Sequence, residues 1–350
     1  MALEDRLMKR AVVSLEAGLE ARDVGAITGA INALLAALPH SDQEDASAAV
    51  PRLTELLPHI PPWLEGMLAV IIGACVELGA EPVVCAPAVL DSARGGLRRT
   101  ADFPARWAAA GGGVPPIPES AIQIPEWAVE QLGGADASEA DILSLMAWWQ
   151  VEQWELATVA MLTHRPIRDG LAERAQFRSE AERVALLGRG DLLSMRHIVR
   201  MLDDEPLLVL HRPTRTAYRM RMSGLGDLWQ LQTLLGDVLI GGGHVAGAAP
   251  DPVAVGLARD MPFGPGVPAP AAMASAPFTL ADADGREVPA DGCPDDIPPV
   301  DGVRVLVLYS ARRPGTWPAG RLFPNVPGSL VLDEALSEPE AAAWFAKLAR

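Results

Sequence analysis

The sequence predicts an α+β fold that is predominantly α-helical. Three observations carry this. Leucine and isoleucine recur at helical spacing through the first hundred residues. The apolar period switches to two between Leu207 and Ser223. The last 105 residues hold 16 of the 31 prolines. Together they predict an antiparallel helical stack with a central β-hairpin and an irregular, β-containing C-terminal region. The expected divisions are a helical region at 1–112 and a Gly/Pro linker at 113–137. A central helical layer with the hairpin follows at 138–245, then a Pro/Gly-rich region at 246–350.

Each element has a local reason. Leu3, Leu7, Leu15 and Leu19 predict a first helix. Asp23 is placed to cap a second, which carries Ile27, Ile31, Leu34 and Leu35 on one face and ends at Pro39. Ser41 and Glu44 have the spacing of a capping box for a third, stopping near Pro58. Pro61-Pro62 opens a fourth that runs to Gly79, and a fifth is expected over 87–94. Helices resume after Ser138, with one long helix over 139–163, a second reaching Gly188 and a third over 191–203. The hairpin pairs 207–212 with 216–223 around Pro213-Thr214-Arg215. It places Tyr218, Met220 and Met222 on one face, Arg219 and Arg221 on the other. Asp227 starts a helix to Gly241. Short strands are expected at 278–280, 286–288, 303–309 and 329–332, a wrapping loop at 246–276, and a last helix from Ser337 boxed by Glu340.

Composition excludes several classes. Apolar residues make up 49% of the 350, enough for a real core, so global disorder is excluded. A net charge of −16 argues against broad nucleic-acid binding. Three cysteines, two of them ten residues apart, fit neither a disulfide framework nor a zinc site. Lys9 and Lys347 are the only lysines, which together with abundant Ala, Gly and Pro points to a GC-rich bacterial genome. The N-terminus lacks an apolar signal segment, and the most apolar run, 67–76, is about half a bilayer span. A cytoplasmic protein is the expectation, with no membrane partner, no nucleic acid, no cofactor and no metal.

Charge is uneven along the chain. Between Arg165 and Arg221 there are 12 arginines and 8 acids, or +4, against −20 elsewhere. Arg165, Arg168, Arg200, Arg219 and Arg221 are therefore candidate anion-binding residues, with Trp148 as a neighbouring aromatic contact. In the 139–163 helix, Trp148, Glu152, Glu155 and Val159 share a face. Carboxylates among large apolar groups have raised pKa values, so Glu152 and Glu155 are candidate acid and base. His164 sits at a helix junction, and His197 aligns with Arg200 and Asp204. Both are candidates for proton transfer. Ordinary structural roles compete with each of these: helix-end complementarity, i,i+4 pairing and a solvated stripe with one exposed tryptophan. There is no Glu-x-x-His, no His-Glu-x-x-His and no Gly-x-Ser-x-Gly.

Two functions are compatible with this pattern. The first is an accessory protein that binds a partner protein, peptide or small anionic ligand through the arginine-rich central segment. The second is a cofactor-independent enzyme of lyase, cyclase or isomerase type, with its site in the central helical layer.

Overall fold

The structure, a computed structural model, describes residues 7–118, 124–262, 273–289, 291–311 and 315–348. The fold is α+β and predominantly helical, and the chain divides into two compact units, Met1–Val199 and Arg200–Arg350. The division falls inside the 138–245 segment.

The first unit is all helical among its described residues. Its helices are α1 Leu7–Ala21, α2 Val24–Ala37, α3 Gln43–Leu56, α4 Pro62–Glu77, α5 Ala86–Ala109 and α6 Glu126–Gln131. They continue with α7 Glu139–Trp149, α8 Val151–Leu162, α9 Arg165–Asp169, α10 Arg174–Leu186 and α11 Leu193–Val199. Leu3 and residues 119–123 of the expected linker lie outside the described residues. Asp23 caps α2 by accepting from the Ala26 N–H at 3.0 Å. The cap of α3 is Asp42, which accepts from the Asp45 N–H, and not Ser41. Ser41 instead donates to the Ala37 carbonyl at 3.0 Å, closing α2, so its hydroxyl is already used.

Packing on α8 explains why two of the helices differ in length from expectation. Almost every face of α8 is buried, including Gln153, Trp154, Thr158 and Met161. The single helix expected over 139–163 breaks at Gln150 into α7 and α8. The Gln150 amide accepts from the Gly66 N–H at 2.9 Å and donates to the Pro62 carbonyl at 2.9 Å. It thus contacts both backbone groups that would close the first turn of α4. Gly66 is required there, since a Cβ would stand 2.8 Å from the Gln150 amide oxygen and 2.5 Å from that of Gln153. The helix expected over 87–94 runs on through Gly95, Gly96 and Pro104 to Ala109. Glycine disfavours a helix interior by about 1 kcal/mol, but here a Cβ at residue 96 would stand 2.4 Å from the Trp154 Nε1. The glycine lets α5 lie directly against the buried indole.

The second unit is a mixed sheet with helices. Its elements are β1 Glu205–His211, β2 Thr216–Ser223, α12 Leu228–Leu235, α13 Pro252–Arg259, β3 Met273–Ser275 and β4 Phe278–Ala281. After them come β5 Pro299–Val300, β6 Val303–Ser310, β7 Thr316–Pro318, β8 Ser329–Ala335 and α14 Glu338–Phe345. Strand order is β4-β6-β1-β2-β8, with β5 on β6 and a separate β3-β7 pair. The β1–β2 hairpin is antiparallel with Val209 opposite Tyr218, and β6 joins β1 in parallel. Tyr218, Met220 and Met222 are buried in one core with α12 leucines, while Leu208, Leu210 and Ala217 meet α14 on the other face. Strand β8 forms one edge of the sheet, and its pairing with β2 carries a register shift between Arg219 and Met220.

Several expectations shift. A π-helical turn, Gly236–Gly241, follows α12. At 286–288 there is only a bridge between Ala281 and Glu287, because Asp282 accepts from both the Asp284 and Arg286 N–H groups and tightens the turn. The 246–276 segment contains α13, capped by Asp251, and β3, while 263–272 lie outside the described residues. The helix expected over 191–203 is confined to α11, between Leu192 and Asp204, both at positive φ. The Ser337–Glu340 capping box of α14 forms as expected.

The glycine argument is testable by a pair of variants. Gly96→Ala should destabilise the protein by about 1–3 kcal/mol through overpacking against Trp154. Gly29→Ala in α2, where a Cβ meets nothing within 4 Å, should stabilise it by up to ~1 kcal/mol. Urea unfolding of both variants measures the opposite signs.

Candidate functional site

An apolar groove of about 340 Å³ opens in the first unit. One wall is the 3₁₀ turn Pro82–Val84 and the start of α5, contributing Val83, Pro87 and Leu90. The other is α9 and the chain after it, contributing Pro166, Ile167 and Leu171. Both walls are helix starts with proline in the first turn, where the missing N–H has no partner to lose. Proline therefore presents its ring to solvent without disturbing the helix. Val83 is 57% and Val84 50% exposed, so apolar surface continues past the groove mouth.

The rim is acidic. Asp91 is exposed and has no hydrogen-bond or ion-pair partner among the described residues. Arg94 pairs with Glu173 at 2.6 Å and Glu180 at 3.5 Å, and Glu180 also pairs with Arg98. Glu81 stands close enough to His164 to affect its titration. Beneath the groove lie buried thiols. Burial pushes Cys85 up to about 11 and Cys75 up to about 12, so both are protonated at neutral pH and unreactive as nucleophiles.

The residues singled out from the sequence are divided between the two units. His164 is the N-cap residue of α9, behind the groove wall. Burial pulls its imidazole below the ordinary value, Glu81 opposes this and Arg168 adds to it. Arg165 pairs with Asp169 one turn on at 3.2 Å. Arg168 is buried and donates to the Leu162 and Thr163 carbonyls, closing the C-terminus of α8. Arg200 pairs with Asp295 and Asp296. Arg219 and Arg221 reach across to Glu334 and Asp333 on β8, at 2.5 and 2.7 Å. Each candidate anion-binding arginine thus has an acid or carbonyl partner within its own unit.

The proposed acid–base pair is employed in the same way. Trp148 is buried rather than part of an exposed stripe, 2% exposed, and its Nε1 donates to the Pro116 carbonyl at 2.7 Å. It belongs to an aromatic cluster with Phe103, 5.0 Å between ring centroids. Glu152 is half exposed and held by both ends of the Arg189 guanidinium. Arg189, 3% exposed, also donates to the Trp148 carbonyl at 2.7 Å. Glu155 accepts from the Met195 N–H at 3.1 Å and so satisfies the start of α11. Burial raises its pKa, with Asp191 and Glu152 adding to the effect against the backbone hydrogen bonds. His197 is buried on α11. Arg200 and Asp204 do not continue its helical face, because α11 ends at Val199. Glu152 and His164 lie at opposite ends of α8, roughly 18 Å apart by helical rise. None of Glu152, Glu155, His164 and His197 lines the groove between α5 and α9.

Arg189 and the groove were not visible in the sequence reading. Arg189 sits in a Gly-Arg-Gly turn, and nothing local marks it as the partner of Glu152. The groove signal was Pro82-Val83-Val84, an apolar pair directly after a helix-starting proline.

No protein-family model, curated protein or solved structure matches this chain. Among the described residues no group of three or more His, Cys, Asp or Glu is placed to hold a metal ion. No helix among them is long and apolar enough to cross a membrane.

The Glu155 environment sets a pH signature. Its pKa is raised on folding, so the folded state favours the protonated acid. The charged form lowers stability progressively as pH rises above the ordinary glutamate value of 4.5. Glu155→Gln keeps an acceptor for the Met195 N–H and removes that penalty. The variant should unfold at higher temperature than the parent at pH 7 and at the same temperature below pH 4.5, as read by thermal scans across pH.

Proposed function

We propose that this is a partner-binding accessory protein whose Met1–Val199 unit takes an apolar, basic segment of another protein in the groove between α5 and α9. The observation that carries this reading is the pairing of an open apolar groove with the exposed, unpartnered Asp91 at its rim, where the lining cation, Arg94, is already paired with Glu173 and Glu180. Apolar side chains of the segment would fill the space between Leu90 and Ile167. Lysine or arginine flanking them would meet Asp91 and the exposed Glu81. The net charge of −16 attracts the same partner at longer range.

The sign of the partner is opposite to the one suggested by the arginine-rich segment. That segment still contributes a wall, through Pro166, Ile167 and Leu171. Five of its arginines, Arg165, Arg168, Arg200, Arg219 and Arg221, have internal partners and support the fold instead.

Fluorescence anisotropy of the full chain with two labelled peptides of equal length tests this. One alternates leucine with arginine, the other leucine with glutamate. The arginine peptide should bind, and the glutamate peptide should bind at least roughly tenfold more weakly. Asp91→Lys should weaken the arginine peptide roughly tenfold, and Ile167→Glu should abolish its binding. Equal binding of both peptides, or indifference to Asp91 and Ile167, would overturn the reading.

A further inference from the structure

The turn of the β1–β2 hairpin holds a side-chain arrangement unrelated to the groove. His211 ends β1, and its ring is buried against Phe278, 5.9 Å between centroids at a steep angle. The Nδ1 atom lies 2.6 Å from the Thr214 Oγ1, which lies 2.7 Å from the Thr216 Oγ1. Thr214 itself is exposed at the turn, which closes through Arg215 at φ +60°. A hydroxyl presented to solvent and backed by a buried imidazole within hydrogen-bond reach is the arrangement of an activated nucleophile.

The surroundings fit that role. Burial alone lowers the His211 pKa, so the ring is neutral at pH 7 and able to accept a proton. With the ring proton on Nε2, Nδ1 accepts from Thr214 and the Thr216 hydroxyl donates to the Thr214 oxygen. The same turn carries Arg212 and Arg215, whose guanidiniums lie over Tyr309 at 5.4 Å and over Phe345 at 4.3 Å. Neither has a carboxylate partner among the described residues, so this turn is a positive point on an acidic chain.

We infer that Thr214 is an acyl-accepting nucleophile, with His211 as its general base and acyl phosphates as the donor class. The Thr214 oxygen bonds to the acyl carbon, and the bond from that carbon to the bridging anhydride oxygen breaks, so that oxygen leaves with the phosphate. The hydroxyl proton passes to His211 Nδ1 and then to the departing phosphate, leaving an ester on Thr214. Arg212 and Arg215 supply the positive field that draws the anionic donor to the turn.

The test is incubation of the full chain with acetyl phosphate, followed by peptide mass spectrometry. Background is small, because only Lys9 and Lys347 offer side-chain amines. Thr214 and the Thr214→Ser variant should be acetylated, and Thr214→Val should not. Thr216→Val should retain the label at residue 214. His211→Gln should label at least tenfold more slowly, with circular dichroism confirming its fold. Should that variant not fold, the urea-unfolded parent gives the same comparison, and folded Thr214 should react at least tenfold faster. Acetylation confined to the lysines and N-terminus would overturn the assignment. A Thr214 rate unchanged in folded His211→Gln, or equal to that of the unfolded chain, would overturn it as well.

Discussion

Almost everything in the first unit depends on burying α8. A helix covered on nearly all sides needs neighbours whose backbones come close, and two of them do so through glycine. Gly66 lets α4 meet the amides of Gln150 and Gln153, and Gly96 lets α5 lie on the Trp154 indole. The ends of α8 are finished by side chains rather than by its own backbone. Gln150 separates it from α7, and Arg168 takes its last carbonyls. Glu152 and Glu155 then project toward Arg189 and the start of α11. The residues that resemble catalytic groups in sequence are those that hold the central helix in place.

The same logic governs the charges. An arginine-rich stretch inside an acidic chain looks like a binding surface, yet most of its guanidiniums are distributed among carbonyls and carboxylates of their own units. Arg200 and Arg304 gather Asp295, Asp296 and Glu205 where β1 and β6 begin. Such partly buried networks fix register and position more than they add stability. Among the charges without such a partner are Asp91 beside the groove, and Arg212 and Arg215 on the hairpin turn.

Elements governed by local signals could be read directly from sequence. Asp23, Asp227 and Ser337 cap the helices they precede, and the hairpin faces follow the period-two alternation of Tyr218, Met220 and Met222. Elements governed by distant contacts could not. Gly95-Gly96 looks like a helix stop until Trp154, 58 residues later, is placed against it. Gln150 looks like a mid-helix residue until α4 supplies its partners. The site candidates suffered most, because an arginine or glutamate declares its chemistry in sequence but not its partner. The His211–Thr214 contact is hidden for the opposite reason: a threonine between Pro213 and Arg215 reads as ordinary turn chemistry, and only the closed turn brings its hydroxyl to the imidazole.

Strand β8 closes one side of the sheet and leaves its outer backbone groups facing solvent. An open edge of this kind invites another strand to add to it. Here it carries Asp333 and Glu334, and the irregular register opposite Arg219 and Met220 disturbs the ladder beside it. The ion pairs to Arg219 and Arg221 therefore have a second effect besides neutralising two arginines. They hold acidic groups along this edge of the sheet, where like charges on a second strand would disfavour edge-to-edge pairing.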